Sequence, residues 1–158
     1  MRRLAHLARR FLGSLRARRP LPADQSLVAE LLSSAEGEVF WSQPVPDLVH
    51  ALRSAHIVLN ASPGNSRLAR AALLHDIGKR HSGIGTVQRS IATGLSMLKI
   101  PTRGRMLRYL DHAEIGADEL DDLGCEDLVV QFARHHHGNR PPHLEPKDWV
   151  VLVLADNE

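Results

Sequence analysis

The chain has 158 residues, 43% hydrophobic but only 4% aromatic, and a single cysteine, Cys125. That apolar content suits one core rather than two, and its Leu, Ala, Val and Ile bias favours packed helices over a β-sandwich. The lone cysteine excludes an internal disulfide and a Cys-x-x-Cys zinc knuckle, and the formal charge of +2 conceals a strong asymmetry.

Residues 1–19 hold seven arginines and no acid, so the remainder carries thirteen basic against eighteen acidic side chains. Within this segment Leu4, Leu7, Ala8, Phe11, Leu12 and Leu15 recur at helical spacing between the arginines, which predicts a basic amphipathic helix. Such a helix suits an anionic membrane surface or a protein partner, in preference to nucleic-acid phosphates; a helix that packs on itself or stays solvated is the plain alternative. Arginines interrupt what would be a secretory signal, and no apolar run is long enough to span a bilayer. With so little cysteine, a cytoplasmic protein is expected, peripheral at the membrane if the arm docks there.

Pro20-Leu21-Pro22 closes the arm as a stiff hinge, dividing it (1–22) from a domain over 23–158. Asp24 predicts an N-cap for a helix to about Ser34, with Gly37 as a stop. Pro44 and Pro46 precede a helix over about 47–60, and Ala61-Ser62-Pro63-Gly64-Asn65 reads as a loop. Asn65 or Ser66 caps the next helix, which ends at His75-Asp76. Arg80 to Gly85 reads as a flexible connection, and helices follow at about 86–98, 102–111, 113–123, 126–136 and, after Pro146, 147–157. The expected fold is all-α.

The run Ala71-Ala72-Leu73-Leu74-His75-Asp76-Ile77-Gly78-Lys79 carries the chemistry. An apolar helix there delivers an imidazole and a carboxylate side by side and stops at a glycine, and such mixed ligands suit a hard or borderline divalent metal. Neighbours on a regular helix point about 100° apart, so the pair can converge only at a helix end. An aspartate there is unfavourable against the helix dipole unless a cation compensates it. Further candidates are His50, with Asp47 and Arg53 three residues either side so that all three share a face able to point into one cavity, then His112, the run His135-His136-His137, and Asp156. Asp156 follows the apolar stretch Trp149 to Ala155, where an unpaired carboxylate would be costly.

The ordered series His, His-Asp, His, His, Asp resembles the HD-domain superfamily of metal-dependent phosphohydrolases. The subgroup with Ile-Gly after the His-Asp looks closest, given Tyr109-Leu110-Asp111-His112-Ala113-Glu114-Ile115-Gly116-Ala117 and Leu152-Val153-Leu154-Ala155-Asp156. The resemblance spans roughly residues 40–158 and implies a compact helical bundle. It implies His50, His75, Asp76, His112, His136 and Asp156 as ligands of a divalent metal centre, two ions rather than one, with Asp76 bridging. Aligned on Ala133, the family pattern makes His136 the ligand, His137 a phosphate or outer contact, and His135 a possible register error. Iron, manganese, zinc, cobalt and magnesium are not distinguished by these ligands.

With open positions left for water, such a centre implies hydrolysis of a phosphate ester or anhydride by a metal-activated hydroxide. Asp76 is then catalytic, and Lys79 and Arg53 are the candidate phosphate-holding cations. The substrate class is a phosphorylated small molecule, a nucleotide or dinucleotide. Asn139-Arg140-Pro141-Pro142 stands where the cyclic di-GMP branch has Gly-Tyr-Pro, which disfavours that branch. No Gly-x-Ser-x-Gly elbow or Walker loop is present. The alternative is a non-catalytic metal or nucleotide sensor or adaptor docked through its arm.

Overall fold

The computed structural model describes residues 20–158, and the amphipathic arm expected over 1–19 lies outside them. The described residues form α1 (Pro22–Leu31), α2 (Ser34–Trp41), α3 (Val45–Ala61), α4 (Ser66–Leu74), a 3-10 turn (Ile77–Ser82), α5 (Thr86–Met97), α6 (Arg105–Leu110), α7 (His112–Asp122), α8 (Asp127–His135) and α9 (Pro146–Asn157), with no strand among them. The all-α expectation holds. No helix among the described residues is long and apolar enough to cross a membrane.

α4 lies at the centre. Leu68, Ala69, Ala71, Ala72, Leu73 and Leu74 are all buried, so the helix is enclosed on most sides. Its alanines let neighbours approach closely, and α3, α8 and α9 pack against it while α1 and α2 cover it. Phe132 of α8 and Trp149 of α9 meet edge to face, ring centroids 5.5 Å apart, and close the core beneath His75. An ionic tie anchored on buried Glu36 joins three elements: the Glu36 carboxylate of α2 accepts from Arg70 Nε of α4 at 2.7 Å, and Arg70 also pairs with exposed Glu126 at the start of α8.

Two expectations at the N-terminal end are corrected. Asp24 is not the N-cap; it lies in the first turn of α1, where its carboxylate accepts from the Leu21 N–H at 2.8 Å and pairs with His56 of α3. Gly37 stops nothing and lies inside α2. The chain breaks earlier, at Leu32 and Ser33, because Ser33 and Glu36 form a reciprocal capping box that starts a new helix at Ser34.

The segment after Asp76 is also more ordered than a flexible connection. It winds into the 3-10 turn, buries Ser82 and Ile84, and ends on Gly83 at φ +59°. Arg80 clamps it to α7 through both oxygens of Glu119. Neither link has a local signature, since Arg80 and Glu119 are 39 residues apart.

Candidate metal centre

His75 caps the C-terminus of α4, His136 caps that of α8, and His112 opens α7. Each ring folds back so that Nδ1 meets the carbonyl oxygen three residues earlier: Ala72 at 2.9 Å, Ala133 at 2.8 Å and Tyr109 at 2.7 Å. A carbonyl only accepts, so Nδ1 carries the proton in all three. In the neutral ring Nε2 is therefore the free base, and it points inward.

Asp76 is where the inward nitrogens meet. The backbone leaves the α-helical conformation at this residue (φ −105°, ψ 6°), which lets adjacent His75 and Asp76 converge. Its Oδ2 lies 3.4 Å from His75 Nε2 and 3.8 Å from His50 Nε2, and its Oδ1 lies 3.3 Å from His112 Nε2 and 3.5 Å from His136 Nε2. Asp156 Oδ1 accepts from His50 at 3.0 Å and from His75 at 3.2 Å. The structure thus brings His50, His75, Asp76 and Asp156 into one group with donor atoms within 4.8 Å of one another, and His112, His136 and His137 into a second. Within the histidine run His136 is buried at the cluster and His137 is exposed at its rim, its Nε2 3.3 Å from that of His112. His135, half-buried, makes no bond to the cluster among the described residues.

The charges are strongly coupled. Burial alone would raise the Asp76 carboxyl, but the Lys79 and His75 charges and the imidazoles of His112 and His136 close by hold it well below the usual carboxylate range. Asp156 is likewise held down against burial, by His50 and His75. Burial by itself would depress His75, yet the two carboxylates push it up to about 10. His50 and His112 are shifted down, chiefly by burial, and so are neutral at pH 7.

The two candidate cations part company. Lys79, on the 3-10 turn, is buried with Nζ directly on Asp76 Oδ2. Arg53 is exposed and makes no bond to the cluster among the described residues, which corrects the expectation that it shares a face with His50. Three residues turn a helix about 300°, so Asp47 and Arg53 rotate about 60° from His50 in opposite directions. The buried side of α3 takes in Asp47, Ala51, Ser54, Ala55 and Val58, leaving His50 at its edge and Arg53 beyond it. Cys125 is no nucleophile either: burial and the Glu36 carboxylate push its thiol up to about 12.

Three residues near the site escaped sequence reasoning as a unit. Asp47 accepts two bonds from Arg89 Nη1, at 2.6 and 2.8 Å. The Arg89 guanidinium lies 5.6 Å from the centre of the Tyr109 ring, which stacks on His112 at 5.7 Å. Asp47 and Arg89 are 42 residues apart, so only its place beside His50 singled out Asp47 and nothing local singled out Arg89.

The donor set fits a divalent cation. Asp76 Oδ1 and His136 Nε2 are buried and have no hydrogen-bond partner, although they lie 3.5 Å apart. Two acceptors facing each other in a dry site are satisfied by a cation between or beside them, and four imidazoles with two carboxylates suit a borderline metal.

Fold and site together define an all-helical domain built around a His and Asp cluster of metal-binding composition. Residues 48–156 match the family model described as HD domain, and the chain belongs to the HD-domain family, a superfamily of metal-dependent hydrolases that bind divalent ions. No curated protein and no solved structure matches the chain.

Proposed function

We propose that the protein is a metal-dependent phosphohydrolase that cleaves a phosphate ester or anhydride, with a nucleotide or dinucleotide as substrate. The observation that carries this reading is the pair of unsatisfied buried acceptors, Asp76 Oδ1 and His136 Nε2, inside a ring of imidazoles whose Nδ1 protons are already committed to backbone carbonyls. A structural site would close its coordination sphere with protein donors, whereas this one opens at the half-buried His50 and the exposed His137.

The split of donors about the two Asp76 oxygens supports two ions. His50, His75 and Asp156 would hold one, His112 and His136 the other, with Asp76 shared. Bound there, divalent ions supply Lewis acidity toward phosphoryl oxygens and lower the pKa of water. The protein's own side chains do the rest. The three carbonyl clamps fix the rings, Lys79 orients Asp76 and offers positive charge to a phosphoryl group, and His137 at the rim is placed to donate to a phosphate oxygen.

Elemental analysis of purified protein, followed by phosphate release from a nucleotide panel with and without Mn²⁺, tests this reading with Asp76→Ala as control. About two ions per chain and turnover lost in the variant support it. No bound metal and no turnover under any condition would leave a sensor or adaptor domain instead.

A further inference from the structure

We propose that the helix pair α5–α6 is a docking surface for an anionic lipid bilayer. Between Asp76 and Asp111 the sequence contains no acidic residue. The pair exposes six large apolar side chains: Val87, Ile91, Met97, Leu98, Ile100 and Leu107, with Leu98 the most exposed at 72%. On α5 the turn of about 100° per residue puts Val87, Ile91, Gly94 and Leu98 on one stripe. Gly94 has open space where a Cβ would stand, so nothing among the described residues covers that stripe. The opposite side of α5 faces the body, with Ala92 buried and Arg89 bonded to Asp47.

Cations surround this apolar face. Lys99, Arg103, Arg105 and Arg108 are exposed, and none is in an ion pair among the described residues. Lys99 sits at the junction between the helices with φ +57°, between exposed Leu98 and Ile100. An apolar tip rimmed by unpaired cations is what an interfacial segment needs: the side chains enter the acyl boundary while lysine and arginine remain among anionic headgroups.

Charge also decides against a second copy of the chain as occupant. A twofold contact through this face would set its own cations against their mates, with no acid on the pair to answer them. Nucleic-acid phosphates would use the cations but leave the apolar stripe in water. The basic residues at 2–19 supply a second segment of the same chemistry in the same chain, and stable membrane attachment ordinarily takes two such signals.

The test is sedimentation of the full chain with vesicles of phosphatidylcholine plus phosphatidylglycerol, against phosphatidylcholine alone and against a DNA duplex. Binding is expected only to the anionic vesicles and weakens with salt. The double variant Ile91→Glu, Leu98→Glu should bind about tenfold more weakly or worse. In a separate chain, Lys99→Ala, Arg103→Ala and Arg105→Ala should each cost roughly fivefold. All these positions are exposed, so melting temperature and bound metal stay unchanged. Deleting residues 1–19 lowers affinity, and the remainder is still lost in the double variant. Absence of vesicle binding, a double variant that binds as well as the parent, or variants that lose only DNA binding would each overturn the proposal. Turnover is not read, so the outcome is independent of the hydrolase reading.

Discussion

Gly78 of the 3-10 turn and Gly116 of α7 touch backbone to backbone. A Cβ on Gly78 would stand 2.7 Å from the Gly116 nitrogen and 2.0 Å from the His112 carbonyl oxygen, and a Cβ on Gly116 would stand 2.9 Å from the Gly78 nitrogen. This contact seats the first turn of α7 against the turn that follows Asp76, and so sets His112 beside the Asp76 carboxylate. The glycine after His-Asp-Ile is thus a packing requirement of the site, while α4 itself has already ended at His75.

Gly78→Ala should therefore displace α7, because its obstruction is backbone that cannot rotate away. A loss of about 1–3 kcal/mol is expected, together with loss of metal at the His112 side. Gly37→Ala is the contrast: it lies inside α2 with nothing within 4 Å of a new Cβ, and should stabilise by roughly 0.5–1 kcal/mol. Thermal melts and metal content of both variants check this.

Asp76→Asn removes the shared carboxylate and leaves buried Lys79 without its partner. The metal-free variant should be less stable than the metal-free parent by about 3–5 kcal/mol. Mn²⁺ should raise the melting temperature of the parent and not that of the variant. An equal rise in both would remove Asp76 from the site.

His136→Ala and His135→Ala separate the neighbours in the histidine run. Only His136 Nε2 points at Asp76, so its loss should lower the metal content, whereas His135→Ala should leave metal content and turnover within about twofold. Elemental analysis reads the difference directly.

Lys79→Ala should reduce kcat/KM by about a hundredfold, as removal of a buried charge that faces a phosphoryl group does. Arg53→Ala, on the exposed side of α3, should cost less than about threefold. Steady-state kinetics on the best substrate of the nucleotide panel tests the pair.

Between about pH 6.5 and 10 metal-free protein should lose stability as pH rises. His75 is raised from 6.5 to about 10, so its contribution is complete below about pH 6.5 and disappears as pH climbs through about 10. Asp76 and Asp156 are shifted down from 3.8, and their contribution is complete above that value and lost as pH falls below it. A divalent ion needs His75 without its second proton, so Mn²⁺ should bind more tightly as pH rises toward about 10 and release a proton at pH 7. Melts in EDTA across pH, and calorimetry in two buffers of different ionisation heat, measure both effects.

Much of the cluster was legible because most of its residues sit at helix boundaries, His50 inside α3 being the exception. His75 and Asp76 follow an apolar run that must be buried and stop at once on a glycine, and Asp156 closes a second apolar run, so burial and polarity collide at readable places. Arg53 was misread because helical spacing gives angles between residues of one helix but not the centre of the buried arc, which falls on the Ala51 side of His50. The Asp47–Arg89 and Arg80–Glu119 pairs were invisible, since each joins elements whose packing no local pattern encodes.

By itself the sequence determined an all-helical domain, where most of its helices begin and end, and which imidazoles and carboxylates stand at those ends. Periodicity, caps and breakers act within a few residues, so one chain suffices to read them. Tertiary structure alone decided that Asp76 divides its two oxygens between two sets of histidines, and that Arg89 rather than Arg53 reaches the residues around the cluster. The physical reason is that local rules place a side chain about its own helix axis, whereas a metal-binding cluster depends on where several axes lie. Those positions follow from contacts as close as the one between Gly78 and Gly116.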